Sequence, residues 1–219
     1  MKKNGIKLLV FDWDGTLADS TALIVDAMQA AISQLQYQAR SDGQISDIIG
    51  LGLVEAAQIL FPGMERASHE RIANCYRLHY AKRAHETSLF QDVPDTLRAL
   101  QERGYRMAIA TGKSRRGLDN SLRQTGLEDF FHATRCADET CSKPHPQMLH
   151  EILDELDMRP EHAVMVGDSA YDMEMALNAG MSPIAVSYGV HASARLLKYK
   201  PIACLDSLAD LLDWLPAAH

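Results

Sequence analysis

The sequence predicts an α/β protein in which a doubly wound, Rossmann-like parallel sheet carries a small all-helical cap domain. From residue 89 onward, short apolar runs alternate with amphipathic helical stretches, which is typical of parallel strands joined by helices. Between the first apolar run and residue 88, helical periodicity continues without a strand-like run. We therefore predict an α/β core formed by residues 1–17 and 89–219 and a helical cap formed by residues 18–88.

Length and charge agree with this division. A chain of 219 residues with 47% hydrophobic residues can form one α/β core and a smaller insertion. The formal net charge of -7 argues against a nucleic-acid partner, which needs clustered lysine and arginine. The apolar run near the N-terminus is short and ends at Asp12, unlike a secretory signal or a membrane span.

The cysteines indicate the redox environment. Cys75, Cys136, Cys141 and Cys204 are scattered and include no Cys-x-x-Cys pair. Reduced thiols are therefore expected, not a zinc site or a disulfide framework. We expect a cytoplasmic protein, monomeric or homodimeric, whose partner is a small molecule and neither nucleic acid nor membrane.

The first predicted strand is Leu8–Phe11, where four consecutive apolar residues precede turn-forming Asp and Gly. Such a run is typical of a strand buried on both faces of a parallel sheet. Apolar residues at steps of three and four then predict three cap helices, from Leu17 to Leu35, Leu53 to Leu60 and Glu70 to His85. The first of them is expected to end before the turn-forming stretch Ser41-Asp42-Gly43.

Strands and helices alternate in the second half of the chain. The predicted strands are Tyr105–Ala110, Phe130–Cys136, His162–Val166, Pro183–Val186 and an edge strand, Ile202–Leu205. The predicted helices run from Pro94 to Gly104, Arg115 to Thr125, Pro146 to about Met158, and Met173 to Ala179. This alternation predicts a parallel, doubly wound sheet.

Polar side chains follow several predicted strands at their carboxyl ends, where ligands bind in open parallel sheets. Asp12 and Asp14 follow the first strand, and Gly15 lets the backbone turn sharply and face N–H groups toward an anion. The other members of the set are Thr111, Lys143, Asp168 and Asp172, each at a strand end or at the start of the next helix.

Each of these residues also has an ordinary structural explanation. Thr111 or Ser114 could cap a helix, and Lys143 could lie on the surface before a proline. Asp168 and Asp172 could stabilise a helix N-terminus, and their four-residue step predicts that they share one helix face. Independent turns and caps have no reason to converge on one crevice, however, so the set as a whole favours a functional site.

Four segments, in this order along the chain, resemble the signature of the haloacid dehalogenase superfamily of phosphohydrolases. They are Asp12-x-Asp14-Gly15-Thr16, Thr111-Gly112, Lys143-Pro144 and Gly167-Asp168-x-x-x-Asp172. The chain looks most like the phosphoglycolate phosphatase group, whose helical caps are inserted just after the first segment. Trp13 stands where phenylalanine or leucine is commoner, which should alter packing and not mechanism.

The resemblance implies a role for each core residue. Asp12 would attack phosphorus to form an aspartyl-phosphate, and Asp14 would act as general acid and then general base. Thr111 and the Gly112 N–H would hold phosphoryl oxygens. Lys143 would screen the charges of the nucleophile and the phosphate.

The resemblance also implies a magnesium ion, because a phosphoryl group beside several carboxylates needs a cation. Its ligands would be the Asp12 carboxylate, the Asp14 backbone carbonyl and Asp168. Asp172 would lie just outside this ligand set.

The loop Ile48–Leu53 is a further candidate because Gly50 and Gly52 could expose N–H groups at the start of the following helix. An anionic or hydroxyl group of the substrate would bind there, and related phosphatases place a comparable glycine-bearing cap loop over the core site. A plain connecting turn explains the same residues equally well. Lys113, just past Thr111, is a candidate for contact with the leaving group.

The sequence thus predicts a magnesium-dependent phosphomonoester hydrolase that acts on a small soluble metabolite, phosphoglycolate-like or a sugar phosphate. Three alternatives remain open. A mutase similar to β-phosphoglucomutase would share the aspartyl-phosphate, and the acids alone do not separate the two. Carbon–halogen hydrolysis needs neither magnesium nor Asp14, so the full acidic set disfavours it. A non-enzymatic binding protein would usually have lost a catalytic group, and none is missing here.

Overall fold

The computed structural model describes residues 5–216, and its main feature is a six-stranded parallel sheet. Its strands are β1 Leu8–Phe11, β4 Arg106–Thr111, β5 Ala133–Cys136, β6 Ala163–Gly167, β7 Ser182–Val186 and β8 Ala203–Leu205. Two short strands, β2 Ala18–Asp19 and β3 Ser88–Leu89, form a separate pair. The helices are α1 Thr21–Gln34, α2 Asp42–Ser46, α3 Leu53–Leu60, α4 Arg66–Arg83, α5 Val93–Glu102, α6 Arg115–Thr125, α7 Gln147–Glu155, α8 Ala170–Asn178, α9 Ser193–Leu196 and α10 Asp210–Trp214. The order in the sheet is β5-β4-β1-β6-β7-β8, which confirms the predicted α/β fold class.

Alternate residues of β1 face opposite sides of the sheet, as strand geometry requires. Leu9 and Phe11 pack in a core cluster with residues of α5 and α6, whereas Leu8 and Val10 pack with residues of α7 and α8. All four residues are fully buried. The continuous apolar sequence of β1 therefore follows from helices that cover both faces of the sheet.

Helices α1 to α4 have a hydrophobic cluster of their own. Its buried residues include Met28 of α1, Ile45 of α2, Ala57 of α3 and Ile72 of α4. The chain enters and leaves this region through β2 and β3, which pair antiparallel with Ala18 opposite Leu89. We retain residues 18–88 as a proposed domain and call them the cap segment.

Two parts of the cap segment differ from the sequence expectation. The stretch Ser41-Asp42-Gly43, predicted to be a break, begins the short helix α2. Ser41 and Gln44 form a capping box there, in which each side chain accepts a hydrogen bond from the other residue's backbone N–H. The sequence predicts no strands at β2 and β3, because two residues are too few to show an alternating pattern.

Helix α8 begins at Ala170, earlier than the predicted Met173, because Ser169 and Asp172 form a second capping box. Asp168 therefore precedes the N-cap residue, whereas Asp172 lies in the first helical turn. The expectation that Asp168 and Asp172 share a helix face is wrong. The two side chains come together because Asp168 directly follows β6 and Asp172 points back toward the end of β6 from the first turn of α8.

Two further observations concern the general expectations. Every helix within residues 5–216 is too short or too polar to cross a lipid bilayer. All four cysteines are free thiols, of which Cys75 and Cys136 are buried and Cys141 and Cys204 are exposed.

Candidate active site

The carboxyl ends of β1, β4 and β6 meet at one edge of the sheet. Asp12 follows β1, Thr111 is the last residue of β4, and Asp168 follows β6. Since β1 pairs with both β4 and β6, these residues lie at adjacent strand ends. Lys143 reaches them from the segment between β5 and α7, and Asp172 from the first turn of α8. All five residues are at most 2% exposed.

The Lys143 ammonium joins two carboxylates. Its Nζ lies 2.7 Å from Asp12 Oδ1 and 2.7 Å from Asp172 Oδ1. Asp12 Oδ1 also accepts a hydrogen bond of 2.7 Å from the Trp13 backbone N–H. The other oxygen of Asp172 accepts from the backbone N–H and the hydroxyl of Ser169, at 3.0 and 2.7 Å. Asp172 thus uses both carboxylate oxygens to hold Lys143 and to start α8.

Asp168 is fixed by groups on two loops. Its Oδ1 accepts from the Thr16 hydroxyl at 2.8 Å, and its Oδ2 accepts from the Val190 backbone N–H at 2.8 Å. Gly15 and Gly189 pack directly on this carboxylate, and a Cβ atom at either position would overlap it. Glycine is therefore required on both sides of Asp168 by close approach.

Asp14 is 9% exposed and borders a cavity that opens beside the strand ends. Its Oδ1 accepts from the Ser20 hydroxyl at 2.6 Å and lies 2.9 Å from Lys113 Nζ. Lys113 also donates to the Tyr80 hydroxyl at 3.3 Å. Burial alone would lower the pKa of Lys113, but Asp14 and Tyr80 outweigh burial and raise it. Lys113 therefore stays charged and fixes the orientation of Asp14.

The buried charges shift one another's pKa values. Burial raises the pKa of Asp12 well above its ordinary value, and neighbouring Asp172 and Asp168 add to this effect while Lys143 opposes it. Burial and the charge of Asp172 raise the pKa of Asp168 to about 7. Burial disfavours the charged form of Lys143, but Asp12 and Asp172 outweigh it, so the Lys143 pKa is raised. The site thus holds more negative charge than its lysines balance.

Three of the carboxylates suit a hard divalent cation, which prefers oxygen ligands. One oxygen each from Asp12, Asp168 and Asp172 lies within 4.8 Å of the others. Asp12 Oδ2 is buried and has no hydrogen-bond partner among residues 5–216, which is costly for a carboxylate oxygen. Four carboxylates meet two ammonium groups, those of Lys113 and Lys143. The donor set, the unpaired oxygen and the excess negative charge all fit a divalent metal ion.

The end of β4 meets the cap segment. The Thr111 side-chain oxygen accepts from the Lys113 backbone N–H at 3.2 Å, and Ser114 is the N-cap residue of α6, as one sequence alternative proposed. A Cβ atom on Gly112 would lie 2.6 Å from the carbonyl oxygen of Gly50. Gly112 therefore lets the cap loop lie directly on this strand end.

The two glycines of the cap loop have different surroundings. Gly50 has φ +103° and borders the same cavity as Asp14 and Gly112. Gly52 is the N-cap residue of α3, and its N–H donates to the Ser142 hydroxyl at 2.8 Å. The Gly52 amide, expected to face a substrate, thus joins the cap segment to the core.

Sequence reasoning gave no role to several side chains of the site. Thr16 supports Asp168 and Ser20 supports Asp14; Thr16 is the last residue of the first motif and Ser20 follows it closely, so both could have been suspected. Tyr80 reaches Lys113 from α4, and its place on the helix gave no signal because an aromatic residue there is typical of packing. His145, between two prolines, is exposed, and its ring accepts from the Gln147 backbone N–H.

Residues 9–186 match the model of a family described as haloacid dehalogenase-like hydrolase. The chain belongs to this family. A curated relative of this haloacid dehalogenase-like hydrolase, "Pyrophosphatase PpaX" from Bacillus mycoides (strain KBAB4), is 30% identical over 212 residues, or 94% of this chain and 95% of the relative.

Solved structures agree with the assignment. A haloacid dehalogenase-like hydrolase from Bacteroides fragilis superposes with a TM-score of 0.88 at 28% identity, covering 94% of this chain and 99% of that one. A "predicted phosphoglycolate phosphatase" from Haemophilus somnus 129PT superposes with a TM-score of 0.86, covering 96% and 98%; at 23% identity it supports the fold alone. The predicted family and the prediction of a phosphatase-type enzyme are confirmed.

Proposed function

We propose that this haloacid dehalogenase-like hydrolase is a magnesium-dependent phosphomonoester hydrolase that forms an aspartyl-phosphate on Asp12. The observation that carries the proposal is the state of Asp12. One oxygen is held by Lys143 and by a backbone N–H, and the other is buried without a donor. A carboxylate nucleophile needs a fixed position and a free oxygen, and this arrangement supports both requirements.

The reaction proceeds in two displacements. A carboxylate oxygen of Asp12 attacks phosphorus while the bond between phosphorus and the leaving oxygen breaks. The Asp14 carboxyl gives its proton to that oxygen, so a neutral alcohol departs. The Asp14 carboxylate then takes a proton from water as the water attacks phosphorus, and inorganic phosphate leaves Asp12 free. Ser20 and Lys113, both on Oδ1, orient Asp14 for both proton transfers.

Other residues hold the phosphoryl group and the metal ion. The Thr111 hydroxyl, the Gly112 N–H and the Lys143 ammonium bind phosphoryl oxygens. The carboxylates of Asp12 and Asp168 and the backbone carbonyl of Asp14 hold Mg²⁺, which when bound offsets the charge of the phosphoryl oxygens. Asp172, although near Asp12 and Asp168, stays outside the ligand set because the Lys143 ammonium already supplies its positive charge, whereas the donors on Asp168 are neutral.

The substrate is a small soluble phosphate compound. Phosphoglycolate-like acids and sugar phosphates follow from the sequence resemblance, and the name of the Bacillus mycoides relative adds pyrophosphate to the candidates. We also propose a cytoplasmic location, supported by the unpaired cysteines, and a monomer or homodimer.

The test is phosphate release from a panel of these compounds in Mg²⁺, in excess chelator and in Ca²⁺. Activity should require Mg²⁺, vanish with chelator and return poorly with Ca²⁺, whose coordination shell is larger and looser. Full activity in chelator would contradict the metal assignment. Conversion of one sugar phosphate isomer into another without net phosphate release would favour the mutase alternative.

A further inference from the structure

A cavity of about 310 Å³ begins at the candidate active site and extends between the cap segment and α6. Asp14, Gly112 and Lys113 form its inner end. Because Asp14 is the proposed proton donor to the leaving oxygen, the leaving group of a bound substrate would extend into this space. The cavity has the volume of a site for an organic ligand larger than a two-carbon acid.

The wall supplied by the cap segment is apolar. The side chains that line it include Ile24, Met28, Ile49, Leu53, Ala56 and Tyr76. Most of these residues also belong to the hydrophobic cluster of the cap segment, so their positions are fixed by packing. A fully hydrophilic leaving group would not bury the apolar surface of this wall. An apolar leaving group would cover that surface and exclude water from it, which favours binding.

The outer part of the cavity carries positive charge. Arg77 of α4 and Arg116 of α6 are both exposed lining residues. Arg77 donates to the neutral Asn74 side chain at 2.8 Å, and Arg116 has no hydrogen bond or ion pair within residues 5–216. Asp14, at the inner end, is the acidic residue of the lining and is already paired with Lys113. In a chain of net charge -7, two guanidinium groups without an acidic partner favour an anionic ligand.

We propose that the substrate is a phosphomonoester whose leaving alcohol has an apolar body and a second anionic group at its far end. This inference rests on the proposed function and specifies its substrate class. The apolar body lies against Met28, Leu53 and Tyr76, and the distal anion lies between Arg77 and Arg116. Pyrophosphate and phosphoglycolate fill only the inner end of the cavity and are poorer substrates.

The experiment compares matched aryl phosphates in Mg²⁺: phenyl phosphate, 4-carboxyphenyl phosphate and its neutral analogue 4-carbamoylphenyl phosphate, with pyrophosphate and phosphoglycolate as references. We expect kcat/KM for 4-carboxyphenyl phosphate to be about tenfold higher than kcat/KM for 4-carbamoylphenyl phosphate, because one charge-assisted contact contributes about that factor. Arg116→Gln should lower this ratio toward one, because one of the two guanidinium groups facing the anion is lost. Arg98→Gln, at an exposed position of α5 outside the cavity, is the matched control.

The apolar wall is tested separately. Leu53→Asn should lower kcat/KM for the aryl phosphates about tenfold more than kcat/KM for pyrophosphate, since only the aryl phosphates cover this wall. Ile59→Asn is the control on the same helix, because Ile59 is 54% exposed and lies outside the cavity lining.

A binding measurement separates failure of this inference from failure of the proposed function. Calorimetry with 4-(phosphonomethyl)benzoate, which cannot be hydrolysed, should show weaker binding to Arg116→Gln and unchanged binding to Arg98→Gln. Equal binding to all three proteins, or a preference for pyrophosphate and phosphoglycolate that Leu53→Asn leaves intact, would overturn the substrate class. Tight binding of the phosphonate with no release of phosphate from any compound would instead overturn the proposed function.

Discussion

Gly112 lies so close to the Gly50 carbonyl group that the strand end has no room for a side chain between them. A Cβ atom on Gly112 would lie 2.6 Å from the Gly50 carbonyl oxygen, well inside van der Waals contact. Since Gly112 follows β4 and Gly50 belongs to the cap segment, this contact fixes how closely the cap loop approaches the site.

Gly112→Ala should therefore displace the cap loop and lower kcat/KM for phosphate release by at least about tenfold, because misplacement by an ångström disturbs reacting geometry. The fold should persist, since the clash is confined to one loop. Steady-state kinetics with circular dichroism would test this. Gly43→Ala, on the exposed helix α2 where a Cβ atom meets nothing closer than 3.9 Å, should leave activity unchanged. Equal activity of both variants would mean that the loop position is irrelevant to turnover.

Substitution of Asp12 and substitution of Asp14 should block different steps of the reaction. Asp12→Asn should abolish turnover because an amide cannot form the acyl-phosphate, while its oxygen still accepts from Lys143 and preserves the fold. Asp14→Asn should still become phosphorylated by 4-nitrophenyl phosphate, whose leaving group needs no proton, but should fail on alkyl phosphates. Mass spectrometry of the trapped protein would detect the added phosphoryl group on Asp14→Asn alone. Phosphorylation of Asp12→Asn would assign the nucleophile elsewhere.

Removal of the Lys143 charge should affect both stability and activity. Lys143→Met leaves Asp12 and Asp172 buried without a counter-charge, so the free energy of unfolding should fall by about 3–5 kcal/mol. Activity should fall by about 10²–10³-fold as phosphate loses a cation. Urea unfolding monitored in chelator, with the exposed Lys198→Met as control, measures the first effect. A variant as stable as the control would show that the buried pair contributes nothing to the fold.

Stability without metal should depend on pH through Asp168. Burial and Asp172 raise its folded pKa from 3.8 to about 7, so between these values the folded protein binds more protons than the unfolded chain. The contribution of Asp168 to the free energy of unfolding should therefore decrease as pH rises from about 4 to about 7.

Asp168→Asn should remove this decrease and raise the melting temperature at pH 8 in chelator by at least about 2 °C. The Thr16 hydroxyl can rotate to accept from the new amide, so the hydrogen bonds persist. Thermal unfolding at pH 4 and pH 8 measures the effect, and Asp154→Asn, exposed on α7, is the control. If the wild type and Asp168→Asn showed the same change in stability between pH 4 and pH 8, the raised pKa of Asp168 would be incorrect.

The parallel sheet and the set of polar residues at its edge could be predicted from the sequence alone. Leu8–Phe11 reads as a strand buried on both faces because local apolar pattern reflects the layers that cover it. Asp12, Thr111 and Asp168 could be placed together because parallel strands bring their carboxyl ends to one edge, whatever the side-chain contacts.

The groups that hold these acids, and the cavity beside them, depend on contacts that form only when the chain folds. The pairing of Lys143 with Asp172, the support of Asp14 by Lys113 and the two arginines at the outer cavity join residues far apart in the sequence. Periodicity and spacing report neighbours along one element and cannot report such contacts. The cavity between the cap segment and α6 depends on packing between helices whose apolar patterns specify a buried face but not the partner that covers it.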